Sequence, residues 1–229
     1  MLALTTAARA SFEDLGAGAR APGMGNAFTA VADDVFASHY NPAGLALLER
    51  PEFGSSYTRL FMGLSDNSDL SLMFLGYAHP LREGRRGVLG VSWEQFSLDR
   101  SLYQEQSLAA SYARLLSARP GGGKLYAGLN ARYLRRGFGS FPEAANSTSG
   151  GLPTANPDPV LTGRNTVAAP DADLGALYRF KEHYALGLAL DHVLQPDMAF
   201  SPSDTDKVPM AAKLGLSYAV VTTVCRDDL

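Results

Sequence analysis

Residues 15–48 read LGAGARAPGMGNAFTAVADDVFASHYNPAGLALL, and this stretch says more about the fold than any other part of the chain. Its front is rich in glycine, which loses more backbone entropy than other residues when a helix forms. Asn41 precedes Pro42, which disfavours helix at Asn41 and allows Pro42 to begin a new helical turn. From the residues alone, the stretch predicts a glycine-rich loop followed by two short helices.

Three motifs follow one another in this stretch: GARAPGMG at 18–25, AFTAVADD at 27–34 and YNPAGL at 40–45. In this order they resemble the N-terminal segment of the FadL/PorV-like superfamily of bacterial outer-membrane β-barrel proteins. The first motif is closer to the PorV/PorQ and UPF0164 types, and the other two are shared with long-chain fatty acid transporters. The resemblance implies that the segment folds inside the barrel as a plug. The plug residues, structural and able to gate a channel, would be Gly18, Arg20, Gly23, Gly25, Asp33, Asp34, Asn41, Pro42 and Gly44.

A competing motif, Gly16-x-Gly18-x-x-Ala21, fits the loose dinucleotide-binding fingerprint. That fingerprint needs a buried strand before it and a βαβ unit around it. Residues 11–14 do not read as such a strand, and nothing downstream alternates strand with helix. We therefore expect no nucleotide site.

Composition excludes several classes of protein. The chain has 229 residues, and no apolar run is long enough for a helical membrane span. The net charge of -3 argues against a nucleic-acid partner. The single cysteine, Cys225, excludes an internal disulfide and a cysteine-based metal cluster. His39, His79, His183 and His192 lack metal-ligand spacing, so we expect no metal and no cofactor.

The start of the chain resembles the end of a secretory leader. Residues 2–10 are apolar and finish in Ala8-Arg9-Ala10, a small-x-small pattern like a signal-peptidase site, although the usual basic front is missing. We predict a signal-peptide remnant at 1–10, the plug at 11–50 and the first part of an outer-membrane barrel at 51–229.

After Pro51 the hydrophobic pattern has a period of two, which is typical of β-strands with two unlike faces. The pattern predicts an all-β, antiparallel transmembrane barrel, with strands at 53–62, 70–79, 87–96, 106–116, 125–136, 173–180, 184–194 and 208–221. One predicted face, toward lipid, carries Leu129, Leu188 and Leu214, and the other, toward the lumen, carries Asn130, Gly187 and Lys213.

Two features favour a membrane barrel over a soluble β-sandwich. The predicted connections at 82–87, 119–124 and 181–183 are short, whereas those on the other side tend to be longer, especially 137–170. Such parity is usual in outer-membrane barrels. In addition, tyrosines lie near the short turns in similar local sequences, as an aromatic girdle at the headgroups would: Tyr77, Tyr112, Tyr178 and Tyr218.

An open sheet of eight strands has two unpaired edges, which lipid does not tolerate. The sequence also ends at Leu229 without the terminal aromatic residue usual for such barrels. We therefore expect a fragment that lacks the C-terminal strands of a longer barrel. Closure as a small eight-strand barrel is the alternative, and it leaves little room for a plug.

No catalytic constellation is evident, so we do not expect an enzyme. Asp191 and His192 are adjacent on a strand and would point to opposite faces, while Asp33 and Asp34 would hydrogen-bond within the plug near Arg20. The resemblance implies passage of fatty-acid-like hydrophobic molecules across the outer membrane, with lipid and such a ligand as partners. The alternative is a PorV-like docking subunit of a type IX protein secretion system, with secretion subunits as partners.

Overall fold

The computed structural model describes residues 12–63, 69–99, 102–119, 122–139, 148–149, 152–154, 156, 165–181, 183–201 and 204–220. The predicted leader at 1–10 and Cys225 lie outside these residues.

Eight antiparallel strands form one curled sheet, shaped like half of a barrel, in the order β1-β2-β3-β4-β5-β8-β9-β10. The strand bounds are β1 Glu52–Leu60, β2 Leu70–Pro80, β3 Val88–Leu98, β4 Tyr103–Ala118, β5 Gly123–Phe138, β8 Thr166–Phe180, β9 Tyr184–Asp191 and β10 Ala211–Tyr218. The short strands β6, Thr148–Ser149, and β7, Leu152–Pro153, pair separately with each other. The predicted all-β, antiparallel fold with eight main strands is confirmed.

Two sequence predictions about the connections are wrong. Strand β8 begins at Thr166 and not at 173, so the connection from β5 ends earlier than predicted. Pro170 had indicated a loop, yet it lies opposite Tyr133 in the sheet. The expected alternation of long and short connections also fails between β3 and β4, because only residues 99–102 join these strands. The connections 61–69, 99–102, 139–165 and 192–210 all lie at one end of the strands, which we call the loop end. We call the opposite end of the strands the turn end.

The two faces of the sheet differ in polarity because successive side chains of a strand point to opposite sides. Leu129 is 45% exposed on the convex outer face, whereas its neighbour Asn130 is 1% exposed on the concave inner face. Large apolar side chains are exposed along the outer face of the sheet: Phe53, Tyr57, Leu75, Val91, Leu108, Leu129, Leu174, Leu186, Leu188, Leu214 and Leu216. Charged and polar side chains are buried on the inner face: Ser92, Glu105, Ser107, Ser111, Asn130, Arg136, Asp171, Asp173 and Asp191.

The N-terminal segment, residues 12–51, packs on the inner face. It contains the short helices α1, Arg20–Gly23, and α2, Ala37–Tyr40, and the 3-10 helix η1, Pro42–Leu47. Phe28, Tyr40 and Leu45 of this segment are at most 1% exposed. Helix η1 contacts β3, β4, β5 and β8 from the concave side. The sheet therefore curls around its own N-terminal segment.

Glycines allow the segment and the sheet to approach closely at a few positions. A Cβ at Gly128 of β5 would lie 2.3 Å from the backbone of Pro42, and one at Gly44 would lie 2.0 Å from the Ala32 carbonyl oxygen. Gly25 has a φ of +63°, which favours glycine. Gly23, in contrast, lies in open space, because a Cβ there would meet nothing within 4 Å.

The helices within the described residues are short, and none of them has the length and hydrophobicity to cross a bilayer.

Candidate functional site

A chain of alternating charges lies between the N-terminal segment and the inner face of the sheet. Its members come from the segment and from five strands: Asp14, His39, Glu94, Arg132, Asp173, Asp191 and Lys213. Six of these seven, all except Asp173, line a cavity of about 100 Å³. Phe12, Leu72, Phe74 and Phe96 also line it, so the cavity has charged and apolar walls.

His39, in helix α2, lies between two carboxylates. Its Nδ1 is 3.0 Å from Glu94 Oε2 in β3, and its Nε2 is 3.0 Å from Asp14 Oδ1. Burial alone would lower the pKa of His39, but the facing charges of Glu94 and Asp14 outweigh it and raise the pKa to about 9. His39 is therefore a cation at neutral pH, and it joins the segment to the sheet.

Asp14 joins the other end of the segment to the last strand. Its carboxylate accepts a hydrogen bond from Lys213 Nζ in β10, which also lies 2.8 Å from Asp191 Oδ2 in β9. Burial alone would raise the pKa of Asp14, but the hydrogen bond from His39 and the charges of His39 and Lys213 hold it well below its usual range. Two cations thus hold one carboxylate of the segment against the sheet.

Arg132 in β5 continues the charge chain toward the centre of the sheet. Its Nε donates to Asp173 Oδ2 in β8, and its Nη1 donates to Ser107 Oγ at 3.1 Å. Asn130 donates to the same Asp173 oxygen at 2.7 Å and to the Ser38 carbonyl oxygen of α2 at 2.8 Å. The buried side chains of the strands thus provide donors for both the sheet and the segment.

Asn41, where the sequence disfavours helix, has two roles. Its side-chain Oδ1 accepts from the Ala43 amide at 3.2 Å, which caps η1, so Pro42 begins the helix. Its Nδ2 donates to the carbonyl oxygens of Thr29, at 2.8 Å, and Ala176, at 3.1 Å. One fully buried side chain therefore joins two parts of the segment to β8.

The predicted neighbours Arg20, Asp33 and Asp34 do meet. Arg20 Nη1 donates to Asp33 Oδ1 and lies 3.4 Å from Asp34 Oδ2, while its guanidinium stacks over Phe28 at 5.0 Å. Asp34 Oδ1 also accepts from the Phe36 amide at 3.0 Å. Burial raises the pKa of Asp34 although Arg20 opposes this effect. This ion pair is half-exposed and separate from the charged cavity, and Gly18 lies near it, against the Phe36 ring.

Asp171, Asp173 and His192 also bring ligand-type atoms together, within 4.8 Å of one another. The sequence did not reveal this cluster because its members are far apart in the chain: Asp171 and Asp173 lie in β8, and His192 directly follows β9. His192 Nδ1 pairs with Asp171 Oδ2, and Asp173 accepts from the His192 amide at 3.1 Å as well as from Arg132. Both carboxylates already accept hydrogen bonds from protein groups. We therefore interpret the cluster as a structural link between strands and not as a cation site.

The four predicted girdle tyrosines lie on the outer face toward the turn end: Tyr77, Tyr112, Tyr178 and Tyr218. The Tyr112 hydroxyl donates to the Arg86 carbonyl oxygen at 2.9 Å, and the Tyr77 hydroxyl lies 3.0 Å from His79 Nδ1. Two of the hydroxyls thus contact polar groups at the turn end.

Sequence reasoning placed Lys213 toward the lumen and gave no role to Glu94, Arg132 or Lys213. The signal was a charged residue at an inward position of each of these strands. No family model, no curated protein and no solved structure matches this chain. Its function is therefore inferred from the fold and its contacts.

Proposed function

We propose that the chain forms the wall of a bacterial outer-membrane β-barrel with its N-terminal segment in the lumen, and that this barrel passes fatty-acid-like amphipathic molecules. The observation that carries the proposal is the reversed polarity of the sheet. Its convex face exposes leucine, valine and aromatic side chains, while its concave face buries carboxylates and arginines. A soluble sheet protein does the opposite, since large continuous apolar surfaces are rarely left in water.

The dimensions of the apolar face fit a membrane. Along β5 the outer positions from Leu125 to Tyr133 are leucine, alanine and tyrosine. This stretch is about 27 Å long at roughly 3.4 Å per residue. At a strand tilt of about 40° it spans about 21 Å, near the height of about 25 Å expected for the apolar band of an outer-membrane barrel. The tyrosines at the turn end would then lie at one headgroup level.

The residues that line the cavity indicate which class of ligand the barrel would pass. The cations Arg132, Lys213 and His39, each paired with a carboxylate, lie beside the apolar side chains of Phe74 and Phe96. A small molecule with a carboxylate head and an apolar body has matching features. Such a ligand would compete with Asp14 for Lys213, loosen the N-terminal segment and open a path along the inner face.

A second candidate is the docking role in a type IX secretion system. The observation that favours it is the number of buried bonds that fix the segment, among them Asn41 to Ala176 and Asn130 to Ser38. A segment held in this way acts as a permanent internal support for loops that bind other proteins. The resemblance of the GARAPGMG motif to PorV-type proteins points in the same direction.

The two candidates differ in the effect of loosening the segment. We expect Asp14→Asn to weaken the link to Lys213 and to raise uptake of an apolar fluorescent carboxylate by cells, and deletion of 16–40 to raise it further. Glu13→Gln, an exposed neighbouring carboxylate, is the matched control. Unchanged uptake with loss of export of a partner protein would support the docking role. Recovery of the unmodified chain in the soluble fraction would contradict both.

A further inference from the structure

A polar row crosses the outer face of the sheet near the loop end. Gln95, Gln106 and Arg135 are adjacent in the register of β3, β4 and β5. Gln106 Nε2 donates to Gln95 Oε1 at 3.1 Å, and Arg135 Nη1 donates to Gln106 Oε1 at 3.3 Å. The three side chains therefore form a hydrogen-bonded ladder on a face that exposes mainly leucine, valine and aromatic side chains toward the turn end.

The ladder lies at the rim of the apolar surface. Trp93 precedes Gln95 by two residues and lies on the same face of β3, and Tyr133 precedes Arg135 by two residues on the same face of β5. Leu108, two residues later on β4, lies opposite Trp93. If the apolar face lies in a bilayer, as proposed above, the ladder lies where acyl chains give way to headgroups. The inference rests on that proposal.

A groove of about 120 Å³ opens beside the ladder, lined by Gln104, Gln106, Arg135, Arg136 and Thr166 among others. Among the residues that the structure describes, its lining includes two arginines and no carboxylate. Arg136 points to the inner side, where it pairs with Asp206 at 2.6 Å and stacks on Phe200. Arg135 is exposed and bonds to the neutral amide of Gln106. The groove therefore carries net positive charge beside amide donors.

We propose that Arg135, with the side-chain amides of Gln104 and Gln106, binds a phosphate-bearing anion, presented by the headgroup of a membrane lipid. A guanidinium offers several N–H donors in a planar fork that matches phosphate oxygens. The ladder fixes the Arg135 head, which lowers the entropy lost on binding. The adjoining leucine and tryptophan surface takes the acyl chains of the same lipid.

Trp93 is the single tryptophan of the chain and lies next to the ladder, so it reports on the lipid bound there. The full chain is reconstituted in vesicles of zwitterionic phosphatidylcholine that contain either brominated phosphatidylcholine or brominated phosphatidic acid. Bromine quenches tryptophan fluorescence on contact, so the ratio of the two quenching efficiencies measures enrichment of the anionic lipid. We expect an enrichment of about five-fold, the factor that one basic residue contributes at an anionic surface.

The variants test the assignment to Arg135. Arg135→Gln is expected to bring the quenching ratio close to one, and Arg135→Lys, which keeps the charge without the fork, to give an intermediate value. Arg114→Gln is the matched control, because Arg114 is also exposed on the outer face but toward the turn end. Loss of enrichment in this control as well would show a general charge effect and overturn the proposal.

The remaining outcomes distinguish a lipid phosphate from free phosphate, and failure of the lipid site from failure of the proposed membrane placement. Enrichment that persists in 10-fold molar excess of inorganic phosphate over lipid phosphate supports the lipid headgroup. Enrichment that phosphate abolishes supports the anion site and assigns it to free phosphate. Equal quenching by both brominated lipids overturns the lipid site and leaves the membrane placement standing. No quenching by either lipid overturns both.

Discussion

The Nδ2 atom of Asn41 lies 3.1 Å from the carbonyl oxygen of Ala176, so a residue that caps a helix in the N-terminal segment is also bonded to the backbone of β8, 135 positions later. The carbonyl oxygens of a strand usually accept hydrogen bonds from the amides of neighbouring strands. The Ala176 carbonyl oxygen has an additional donor, the Asn41 side chain, on the concave side of the sheet. The bond fixes the position of η1 relative to the sheet.

Replacing Asn41 by alanine should lower the free energy of unfolding by about 1–3 kcal/mol, because it removes the hydrogen bonds that Asn41 donates to the carbonyl oxygens of Thr29 and Ala176 and removes the cap of η1. Urea titration in detergent, followed by tryptophan fluorescence, measures the change. Asn165→Ala, at an exposed position near the loop end, is the control and should be close to neutral. Equal stability of the two variants would mean that the Asn41 bonds contribute nothing measurable.

Glycine at position 44 is required for close contact and glycine at position 23 is not, so the two offer a matched pair. Gly44→Ala should destabilise the fold, because its Cβ would lie 2.0 Å from the Ala32 carbonyl oxygen and the backbone must shift. Gly23→Ala, where a Cβ has open space, should be neutral or slightly stabilising through the unfolded state. The difference in urea midpoint between the two variants checks the expectation, and a larger loss at Gly23 would contradict it.

The placement of the outer face in lipid can be tested at Leu188, which is 41% exposed. In a membrane, Leu188→Arg should cost about 2–4 kcal/mol if the side chain lies near the midplane. In water the same change at a part-exposed site should stay within about 0.5 kcal/mol. Ala168→Arg, on the outer face at the loop end, is the control and should be tolerated in both cases. Folding titrations into lipid vesicles measure the cost.

The charge of His39 makes stability depend on pH. Its pKa is raised in the folded protein to about 9 from an ordinary 6.5, so its contribution is full below about pH 6.5 and is lost as the pH rises through about 9. The free energy of unfolding should therefore fall by on the order of 3 kcal/mol between pH 6.5 and 10 relative to His39→Gln. His79→Gln, on the exposed outer face, should keep the pH dependence of the unmodified chain. Parallel curves for all three proteins would contradict the role of His39.

The local pattern was sufficient to predict the strands and their faces. In Leu129 and Asn130 the direction of each side chain follows from the backbone geometry of a strand, which needs no knowledge of distant residues. The start of β8 was missed for the same reason, because Pro170 and Asp171 are loop-type residues by local preference and only pairing with β5 holds them in the sheet.

The contacts of the candidate site were beyond local reasoning. Asn41 was singled out by its position before Pro42, but its bond to Ala176 depends on how tightly the sheet curls. His39 was a lone histidine in the sequence, and its two carboxylate partners come from opposite sides, Asp14 in the chain start and Glu94 in β3. A sequence shows that charges point inward and does not show which of them meet.

The ion pair between Asp14 and Lys213 joins residues that are 199 positions apart. Contacts between such distant residues form late in folding, since the intervening chain must first be ordered. Until β10 is in place, Asp14 and Asp191 lack their cationic neighbour Lys213, and a buried charge without its partner is costly. The part of the charged network that Lys213 supplies therefore forms only when β10 has paired with β9, so the pairing of this strand and the docking of the N-terminal segment stabilise each other.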